Sequence, residues 1–258
     1  QAEDGIRDFC LSRGLGDVYK RQVKSKNFND FVSEIDVAAE RTIIDTLKEV
    51  YPTHGFLGEE SGSTSHQSDF IWIIDPLDGT TNFLHNFPQY CVSIALQHKG
   101  EITQAVIYEP NRNDLYTATK GRGAFLNDKR IRVSKCDKLQ ESLVGTGFPF
   151  RDFKHLDTYL GMFKSMLQKT TGIRRPGSAA LDLAYVANGS LDAFWEIGLS
   201  PWDIAAGALL VQEAGGIISN LNGKEGWLQS GNVLAASPKI YDAMLEVLGP
   251  HLTEDIKV

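Results

Sequence analysis

The feature that most constrains this chain is an apolar run at residues 70–74, FIWII, that leads directly into the acidic sequence DPLDGTTN. The run is short and rich in aromatic and β-branched residues, and this combination predicts a buried strand. Pro76 fixes the direction of the chain, so the three-residue spacing predicts that Asp75 and Asp78 converge across a turn. Two carboxylates that lie so close repel each other unless a proton or a cation lies between them. The segment therefore predicts an acidic site at the end of a buried strand.

The residue types around these two acids favour a hard cation. The segment offers oxygen donors and contains no histidine or cysteine, and Mg²⁺ prefers such a donor set. Gly79 and Thr80 follow at a predicted helix start, where backbone N–H groups can bind an anion. A metal site beside a phosphate site is the arrangement that phosphoryl transfer requires. The alternative is a surface turn in which the Asp75 side chain caps backbone N–H groups and Asp78 is solvated. The whole sequence DPLDGTTNF directly after the apolar strand FIWII favours the metal site.

Two other acidic segments accompany this one. The sequence GEESG at residues 58–62 contributes Glu59, and WDIAAG at residues 202–207 places Asp203 where a helix is predicted to begin. Each signal is weak alone, because a Gly-Glu-Glu turn is common and Asp203 could serve as an N-terminal cap that only stabilises its helix.

The composition excludes several classes of function. A net charge of −7 argues against direct DNA binding, which requires a basic surface. The chain has no run of eighteen apolar residues, so no membrane span is expected. The three cysteines, Cys10, Cys91 and Cys136, show no CxxC spacing, and the six histidines show no paired spacing of the kind found in zinc sites. These cysteines indicate reduced thiols, and we expect a cytoplasmic protein.

Residues 1–22 differ from the rest of the chain. The segment QAEDGIRDFCLSRGLGDVYKRQ shows neither helical nor strand periodicity. QAEDGIRD resembles an in-frame translation of a sequencing-library adapter, and LSRGLGDVYKRQ resembles a translation of its transposon end. We therefore expect residues 1–22 to be a non-native segment that packs poorly, and residues 23–258 to be a domain truncated at its N-terminus. The alternative is a native N-terminal extension.

The remaining chain changes its pattern near residue 140. Residues 33–50 predict an amphipathic helix that Ser33 caps, and its predicted apolar face comprises Ile35, Ala39, Ile43, Leu47 and Val50. Short strands separated by Gly and Asn turns follow, as in an antiparallel meander. After residue 140 strands alternate with helices, which are predicted at 156–168, 178–188, 204–214 and 238–248. This order predicts two packed sheets layered with helices, in halves of about 23–140 and 141–258.

The three acidic segments together resemble the inositol monophosphatase family. GEESG, WIIDPLDGTTNF and PWDIAAG stand in the order of that family and at its approximate spacing, and the resemblance runs from about residue 23 to the C-terminus. GFPF at 147–150, RRPGSAALDLAYVANG at 174–189 and FWEIGLSPWD at 194–203 are most similar to its bacterial, SuhB-type members. The resemblance implies an α/β fold, a layered αβαβα sandwich with an antiparallel sheet in the N-terminal half and a mixed sheet in the C-terminal half.

The resemblance also implies a reaction, the hydrolysis of myo-inositol monophosphate to inositol and phosphate by a metal-activated water. The implied catalyst is sensitive to lithium and binds two or three Mg²⁺ per active site. The implied metal ligands are four carboxylates and one backbone carbonyl: Glu59, Asp75, Asp78, Asp203 and the carbonyl of Leu77. Glu59, Asp75 and Leu77 hold the first metal, Asp75, Asp78 and Asp203 hold the second, and Glu59 shares in a weaker third.

The remaining roles are implied in the same way. The implied catalytic residues are Glu59, Thr80 and Asp78. Thr80 and Glu59 orient the attacking water, and the amides of Gly79 and Thr80 hold the phosphate. The implied substrate-binding residues line one pocket: Asp78, Gly79, Thr80, Gly177, Ser178, Ala179 and Glu196. Glu196 matches the carboxylate that accepts hydrogen bonds from inositol hydroxyls, and such a carboxylate rejects ligands that lack the hydroxyl pair.

Some positions depart from the family pattern or stay open. Ser200 stands where animal members have a histidine, which implies different polyol contacts there. A family lysine near the N-terminus matches either Lys24 or Lys26. Arg174 and Arg175 are either a structural charged pair or pocket residues.

Two alternative functions remain. The nearer one is a related phosphatase of the same superfamily that acts on a sugar bisphosphate, histidinol phosphate or a nucleotide, since all of these would share the metal ligands. The position of Glu196 and the sequence GSAALDLA favour inositol phosphate. The other is a binding role, because SuhB-type proteins are associated with transcription antitermination complexes, and the acidic balance favours contacts with protein components of the transcription machinery. We also expect a homodimer.

Overall fold

The computed structural model describes residues 23–27, 30–64, 68–149 and 153–256. The predicted non-native segment 1–22 and Phe150 of the GFPF sequence lie outside these residues. The first described elements are two short strands, β1 (Val23–Asn27) and β2 (Asp30–Ser33), which pair antiparallel. None of the helices in the described ranges has both the length and the apolar content that a bilayer span requires.

The larger sheet in the described part of the chain has eight strands, in the order β10-β9-β8-β7-β6-β5-β3-β4. Its strands are β3 (Gly55–Gly58), β4 (Gly62–Thr64), β5 (Phe70–Asp78), β6 (Cys91–His98), β7 (Glu101–Glu109), β8 (Asp114–Thr119), β9 (Gly123–Leu126) and β10 (Lys129–Arg130). Neighbouring strands pair antiparallel, as predicted, except that β3 and β5 are parallel. β4 runs back along the outer side of β3 and forms the edge of the sheet. β5 then follows on the inner side of β3 and runs in the same direction as β3.

The smaller sheet, counted over the same described residues, has five strands in the order β12-β11-β13-β15-β14. They are β11 (Leu143–Thr146), β12 (Gly172–Arg174), β13 (Ala193–Glu196), β14 (Ile217–Ser219) and β15 (Val233–Ala236). β11 pairs parallel with β12 and β13, whereas β15 pairs antiparallel with β13 and β14. The predicted mixed sheet of the C-terminal half is therefore confirmed.

The helices connect these strands and follow the predicted periodicity closely. They are α1 (Glu34–Val50), α2 (Thr80–Leu84), α3 (Leu156–Leu167), α4 (Ala179–Asn188), α5 (Pro201–Glu213), α6 (Trp227–Ser230) and α7 (Pro238–Leu248). Pro201 and Pro238 lie in the first turns of α5 and α7, where the absence of a proline N–H removes no helical hydrogen bond.

Three hydrophobic clusters order the layers. One lies between α1 and the large sheet, on the face that carries Trp72 and Ile74. A second joins the opposite face of that sheet, which carries Ile73, through α4 and α5 to Phe194 of the small sheet. The third covers the other face of the small sheet, which carries Trp195, with α3 and α7. Successive residues of a strand point to opposite faces, so the clusters give the order α1, large sheet, α4 and α5, small sheet, α3 and α7. The predicted αβαβα sandwich is confirmed.

One predicted face is rotated in the structure. The buried side of α1 comprises Asp36, Glu40, Ile43, Ile44 and Leu47. The predicted face also included Ile35 and Ala39, which are half-buried, and Val50, which is 64% exposed. The cause is that two acidic residues continue the apolar stripe toward the start of the helix, where they accept hydrogen bonds from other elements.

Candidate active site

Three buried carboxylates converge between the large sheet and the central helical layer. Each of Asp75, Asp78 and Asp203 offers a carboxylate oxygen, and these three oxygens lie within 4.8 Å of one another. Asp75 and Asp78 come from β5, whereas Asp203 comes from the first turn of α5, far along the chain. The fold therefore brings two of the three acidic segments of the sequence together.

A bulge in β5 places both of its acids in this cluster. Asp75 pairs with Ser93 of β6 and Asp78 pairs with Cys91, so β5 contains one more residue than β6 between the two pairs. In a regular strand, residues three positions apart point to opposite faces, and the added residue removes that opposition. The prediction of a turn between Asp75 and Asp78 is wrong, because the strand continues through both. Asp75 Oδ1 accepts a hydrogen bond from the N–H of Leu77 at 2.9 Å within the bulge.

The carboxylate of Asp78 is held by the start of α4. Its Oδ2 accepts hydrogen bonds from the Ser178 hydroxyl at 2.6 Å and from the Ala180 N–H at 2.7 Å. Ser178 is the N-terminal cap of α4. Unpaired N–H groups at a helix start carry partial positive charge, which favours a carboxylate there. Asp78 is therefore fixed between the two halves of the chain.

Asp203 combines a structural role with its place in the cluster. Its Oδ2 accepts a hydrogen bond from the N–H of Ser200 at 2.7 Å, which makes the two residues a capping box at the start of α5. The cap residue is therefore Ser200 and not Asp203, which stabilises the helix start from the third helical position. The same carboxyl group also lies within the acidic cluster.

The electrostatics of the cluster favour a bound cation. Burial raises the pKa of Asp75 well above its usual value, and the nearby carboxylates of Glu59, Asp78 and Asp203 raise it further. A carboxylate in such surroundings is stabilised either by a proton or by a positive ion. The donors are oxygens throughout, and the residues present fit a divalent cation of the Mg²⁺ type.

Comparisons with known proteins agree with this geometry. A model of the inositol monophosphatase family matches residues 10–252. The putative Nus factor SuhB of Neisseria meningitidis serogroup B is 52% identical over 243 residues, which cover 94% of this chain and 93% of that protein. The crystal structure of extragenic suppressor protein SuhB from Bartonella henselae matches with a TM-score of 0.90 at 41% identity and covers 96% of each chain. The inositol monophosphate-bound structure of the staphylococcal SaIMPase-II matches with a TM-score of 0.75 at 30% identity over 84% of each chain.

The chain belongs to the inositol monophosphatase family. Membership supports a phosphatase of this superfamily, and the family is generally metal-dependent. The family match begins at residue 10, inside the predicted non-native segment. The boundary at residue 22 stays a prediction, because residues 1–22 lie outside the described part of the chain.

In this member of the inositol monophosphatase family, a cavity of about 580 Å³ opens over the acidic cluster. Its lining includes all the implied metal ligands, catalytic residues and substrate-binding residues: Glu59, Asp75, Leu77, Asp78, Gly79, Thr80, Gly177, Ser178, Ala179, Glu196 and Asp203. The fold thus brings the predicted metal ligands and the predicted substrate contacts to one place, whereas their individual roles stay predictions.

The part of the cavity wall between β5 and α2 depends on a backbone conformation that favours glycine. Gly79 precedes α2 with φ of 93°, in the left-handed region. A Cβ atom there would lie 2.8 Å from the Gln89 carbonyl oxygen and 3.2 Å from Cβ of Tyr90. The glycine lets the chain turn sharply from β5 into α2, and this turn brings Thr80 to the cavity.

The cavity lining also includes Glu196 and a second buried acid, Asp182. Glu196 ends β13, and its carboxylate packs against Gly147, where an added Cβ would overlap it. Asp182 of α4 is fully buried, and its Oδ1 has no hydrogen-bond partner within the described residues. Burial raises the pKa of Asp182 well above its usual value, and Glu196 and Asp78 raise it further.

Two further positions, one basic and one aromatic, lie in different places: one in the cavity wall and the other in the hydrophobic core. Arg175 lines the cavity and stacks over the ring of Phe148 at 4.1 Å, so it is a pocket residue. Phe194 is fully buried in the central cluster.

Sequence reasoning missed two acids of α1 that contact this site. The Thr80 hydroxyl lies 3.0 Å from Asp36 Oδ1 and 3.1 Å from the Leu77 carbonyl oxygen. Glu40, one turn further along α1, accepts hydrogen bonds from the N–H groups of Glu60 and Ser61 at 2.9 and 2.8 Å. The signal was present in the sequence, because both acids continue the stripe of Ile43, Ile44 and Leu47 at helical spacing.

Proposed function

We propose that this chain is a Mg²⁺-dependent phosphomonoesterase that hydrolyses myo-inositol monophosphate to inositol and phosphate. The observation that carries the proposal is the convergence of Asp75, Asp78 and Asp203 in one buried cluster, with Glu59 close enough to raise the pKa of Asp75. The inositol monophosphate bound to SaIMPase-II, which is 30% identical, supports the same substrate class.

We infer the metal ligands from the acidic cluster together with the family resemblance. Glu59, Asp75 and the Leu77 carbonyl hold one cation, Asp75, Asp78 and Asp203 hold a second, and Glu59 shares in a third. When bound, these cations neutralise charge on the phosphoryl oxygens and activate water for attack. The same site accounts for an expected inhibition by lithium.

Thr80 orients the attacking water, and Asp36 orients Thr80. A hydroxyl has one hydrogen to donate and two lone pairs that accept. When the Thr80 hydrogen goes to Asp36, 3.0 Å away, the Leu77 carbonyl is left to face the cation. The lone pairs of Thr80 then accept a hydrogen bond from the water. This arrangement adds Asp36, as the direct partner of the Thr80 hydroxyl, to the expected pair of Thr80 and Glu59.

The two ends of the substrate contact different walls of the cavity. The amides of Gly79 and Thr80 bind the phosphate, while Glu196, 7% exposed, accepts hydrogen bonds from the polyol hydroxyls. Gly177, Ser178 and Ala179 line the space between them. A buried carboxylate selects ligands that satisfy it, because a ligand without hydroxyls leaves it desolvated and unpaired.

A phosphate-release panel tests the proposal. The protein is assayed with myo-inositol 1-phosphate, fructose 1,6-bisphosphate, histidinol phosphate and a 3′-phosphonucleotide, with Mg²⁺ and with EDTA. We expect Mg²⁺-dependent release that is fastest with inositol phosphate and that lithium inhibits. A higher kcat/KM for one of the other esters would assign the chain to the related phosphatases, and release in EDTA would contradict the metal site.

A second candidate function is a role in transcription. Relatives from Neisseria meningitidis and Escherichia coli, 52% and 46% identical, are named as Nus factors. We propose that this chain also contacts protein components of transcription antitermination complexes. A pull-down with purified RNA polymerase and elongation factors tests this role, and Asp75→Asn is expected to abolish phosphate release without changing the proteins retained. We also expect a homodimer, and light scattering on the same preparation measures its molar mass. The predicted location of the protein is the cytoplasm.

A further inference from the structure

Helix α1 buries two carboxylates on its inner face, one turn apart. Asp36 is 1% exposed and Glu40 is 2% exposed, and both lie in line with Ile43, Ile44 and Leu47. Burying a carboxylate is unfavourable unless hydrogen bonds replace the lost water. The partners of these two acids therefore indicate why α1 carries them. Asp36 contacts Thr80, as described above, and Glu40 contacts the turn that carries Glu59.

Glu40 holds the turn between β3 and β4 through two backbone N–H groups. Its Oε2 accepts from Glu60 at 2.9 Å and its Oε1 accepts from Ser61 at 2.8 Å. A carboxylate that accepts two N–H groups in this way makes charge-assisted hydrogen bonds, which are stronger than neutral ones. Gly58 completes the contact, because an added Cβ there would lie 2.5 Å from the Glu40 carboxylate.

The same turn is attached to the large sheet on its other side. The N–H of Glu59 donates to the Ile74 carbonyl at 3.2 Å, next to Asp75 in β5. Glu59 is therefore fixed by β5 through its own amide and by α1 through the two amides that follow it. A side chain whose backbone is held in this way has little freedom to swing away from Asp75.

We propose that Glu40 is a positioning residue that holds Glu59 in its metal-binding orientation, so that α1 aligns Glu59 and Thr80 on one rigid frame. The proposal rests on the proposed function, since it assigns Glu40 to the metal site described above. Residues that orient metal ligands through hydrogen bonds typically change metal affinity by about 10- to 100-fold when they are replaced.

The test measures metal binding directly, by calorimetric titration of the metal-free protein with Mg²⁺ or Mn²⁺. Glu40→Gln keeps the shape of the side chain and one acceptor oxygen, but its amide nitrogen faces an N–H donor, so one of the two hydrogen bonds is lost. We expect metal affinity to fall about 10-fold or more, and we expect faster hydrogen exchange at the amides of Glu60 and Ser61. At saturating Mg²⁺, kcat should recover toward the wild-type value while KM for the phosphate ester stays unchanged.

Two controls separate positioning from general stability. Glu49→Gln makes the same chemical change on the exposed side of α1 and should leave metal affinity unchanged. Met244→Ala creates a cavity in the cluster beneath α7, far from the turn, and should lower Tm without lowering metal affinity. Gly58→Ala displaces the Glu40 carboxylate without removing its charge, and it should weaken metal binding as Glu40→Gln does.

The outcomes distinguish this inference from the proposed function. Wild-type protein that binds no divalent cation would overturn the proposed function. Wild-type binding that persists unchanged in Glu40→Gln would overturn the role of Glu40 alone. If Glu40→Gln does not fold, Gly58→Ala decides, and unchanged metal affinity in that variant contradicts the proposal.

Discussion

At the scale of single residues, the carboxyl groups of the cavity divide by what they contact. Asp78 contacts the start of α4 and lies in the acidic cluster, whereas Glu196 packs against Gly147 and lies outside that cluster. A substitution at Asp78 is therefore expected to lower the turnover of every substrate. A substitution at Glu196 is expected to lower the turnover only of substrates that carry hydroxyl groups near the phosphate ester.

Glu196→Gln and Asp78→Asn should change substrate preference differently. Asp78→Asn removes a carboxylate from the cluster and should nearly abolish turnover of both inositol phosphate and an aryl phosphate. Glu196→Gln weakens a charge-assisted hydrogen bond worth about 1.5–3 kcal/mol, or roughly 10- to 100-fold in kcat/KM, with inositol phosphate only. The measurement is kcat/KM for both substrates at saturating Mg²⁺. Equal losses with both substrates in Glu196→Gln would show that this residue does not contact the hydroxyls.

Asp182 provides a test through the pH dependence of stability. Its pKa is raised well above 3.8 in the folded protein, mainly by burial. Folding then binds a proton, so the contribution of Asp182 to the free energy of unfolding falls as pH rises from about 4 toward the raised pKa. Asp182→Asn removes this dependence. We expect the variant to gain stability relative to wild type between pH 4 and neutral pH, measured by urea unfolding, and a constant difference over that range would contradict the raised pKa.

At the scale of elements, the central layer depends on the close approach of α4 and α5. Gly207 of α5 faces Leu183 of α4, and a Cβ added at Gly207 would lie 2.5 Å from Cβ of Leu183. Close packing of this kind tolerates little added volume. Ser178 caps α4 and holds Asp78, and Asp203 lies in the first turn of α5, so the spacing of the two helices also sets the distance between Asp78 and Asp203.

Gly207→Ala should therefore weaken both the fold and the site. Overpacking of a buried contact costs about 1–3 kcal/mol, and the displaced α5 should lower the affinity for Mg²⁺. Gly249→Ala is the matched control, because Gly249 follows α7 with helical dihedral angles and no atom lies within 4 Å of an added Cβ. That control should be neutral or stabilising by up to about 1 kcal/mol. Guanidinium unfolding midpoints compare the two, and equal stability would contradict the packing of α4 on α5.

Elements were more predictable than the contacts between them. Local periodicity predicts α7 to the residue, because it has a clear apolar pattern and clear end signals. The bulge in β5 could not be predicted, since it depends on register with β6, and register is a property of two strands. The inner face of α1 was assigned incorrectly although Asp36 and Glu40 stand at helical spacing with its apolar residues, because the partners that make their burial favourable are not local. Asp36 and Glu40 are buried because of Thr80 and the turn after β3, which lie elsewhere in the sequence.

At the scale of the whole molecule, the acidic cluster lies where separate layers meet. Its carboxylates come from β5 in the large sheet and from α5 in the central layer, and Glu59 is held from a third direction by α1. The resemblance of three short segments predicted the members of this cluster, because the order of motifs specifies which residues converge. Spacing alone could not do so, since the position of Asp203 relative to Asp75 depends on the packing of α5 on the large sheet.

This placement predicts that divalent cations stabilise the entire fold. A ligand that binds only the folded state adds about 2.7 kcal/mol to the free energy of unfolding at a concentration 100 times its Kd. For a chain of this size, this increase raises Tm by about 5–10 °C.

Asp203→Asn keeps an acceptor oxygen for the Ser200 N–H but removes one charge from the cluster. We expect this variant to lose most of the Mg²⁺ shift, and to unfold at a higher temperature than wild type in EDTA because repulsion with Asp75 is relieved. Asp242→Asn, an exposed change on α7, should keep the full shift. A full Mg²⁺ shift in Asp203→Asn would show that the cation binds elsewhere and would separate the acidic cluster from the metal site.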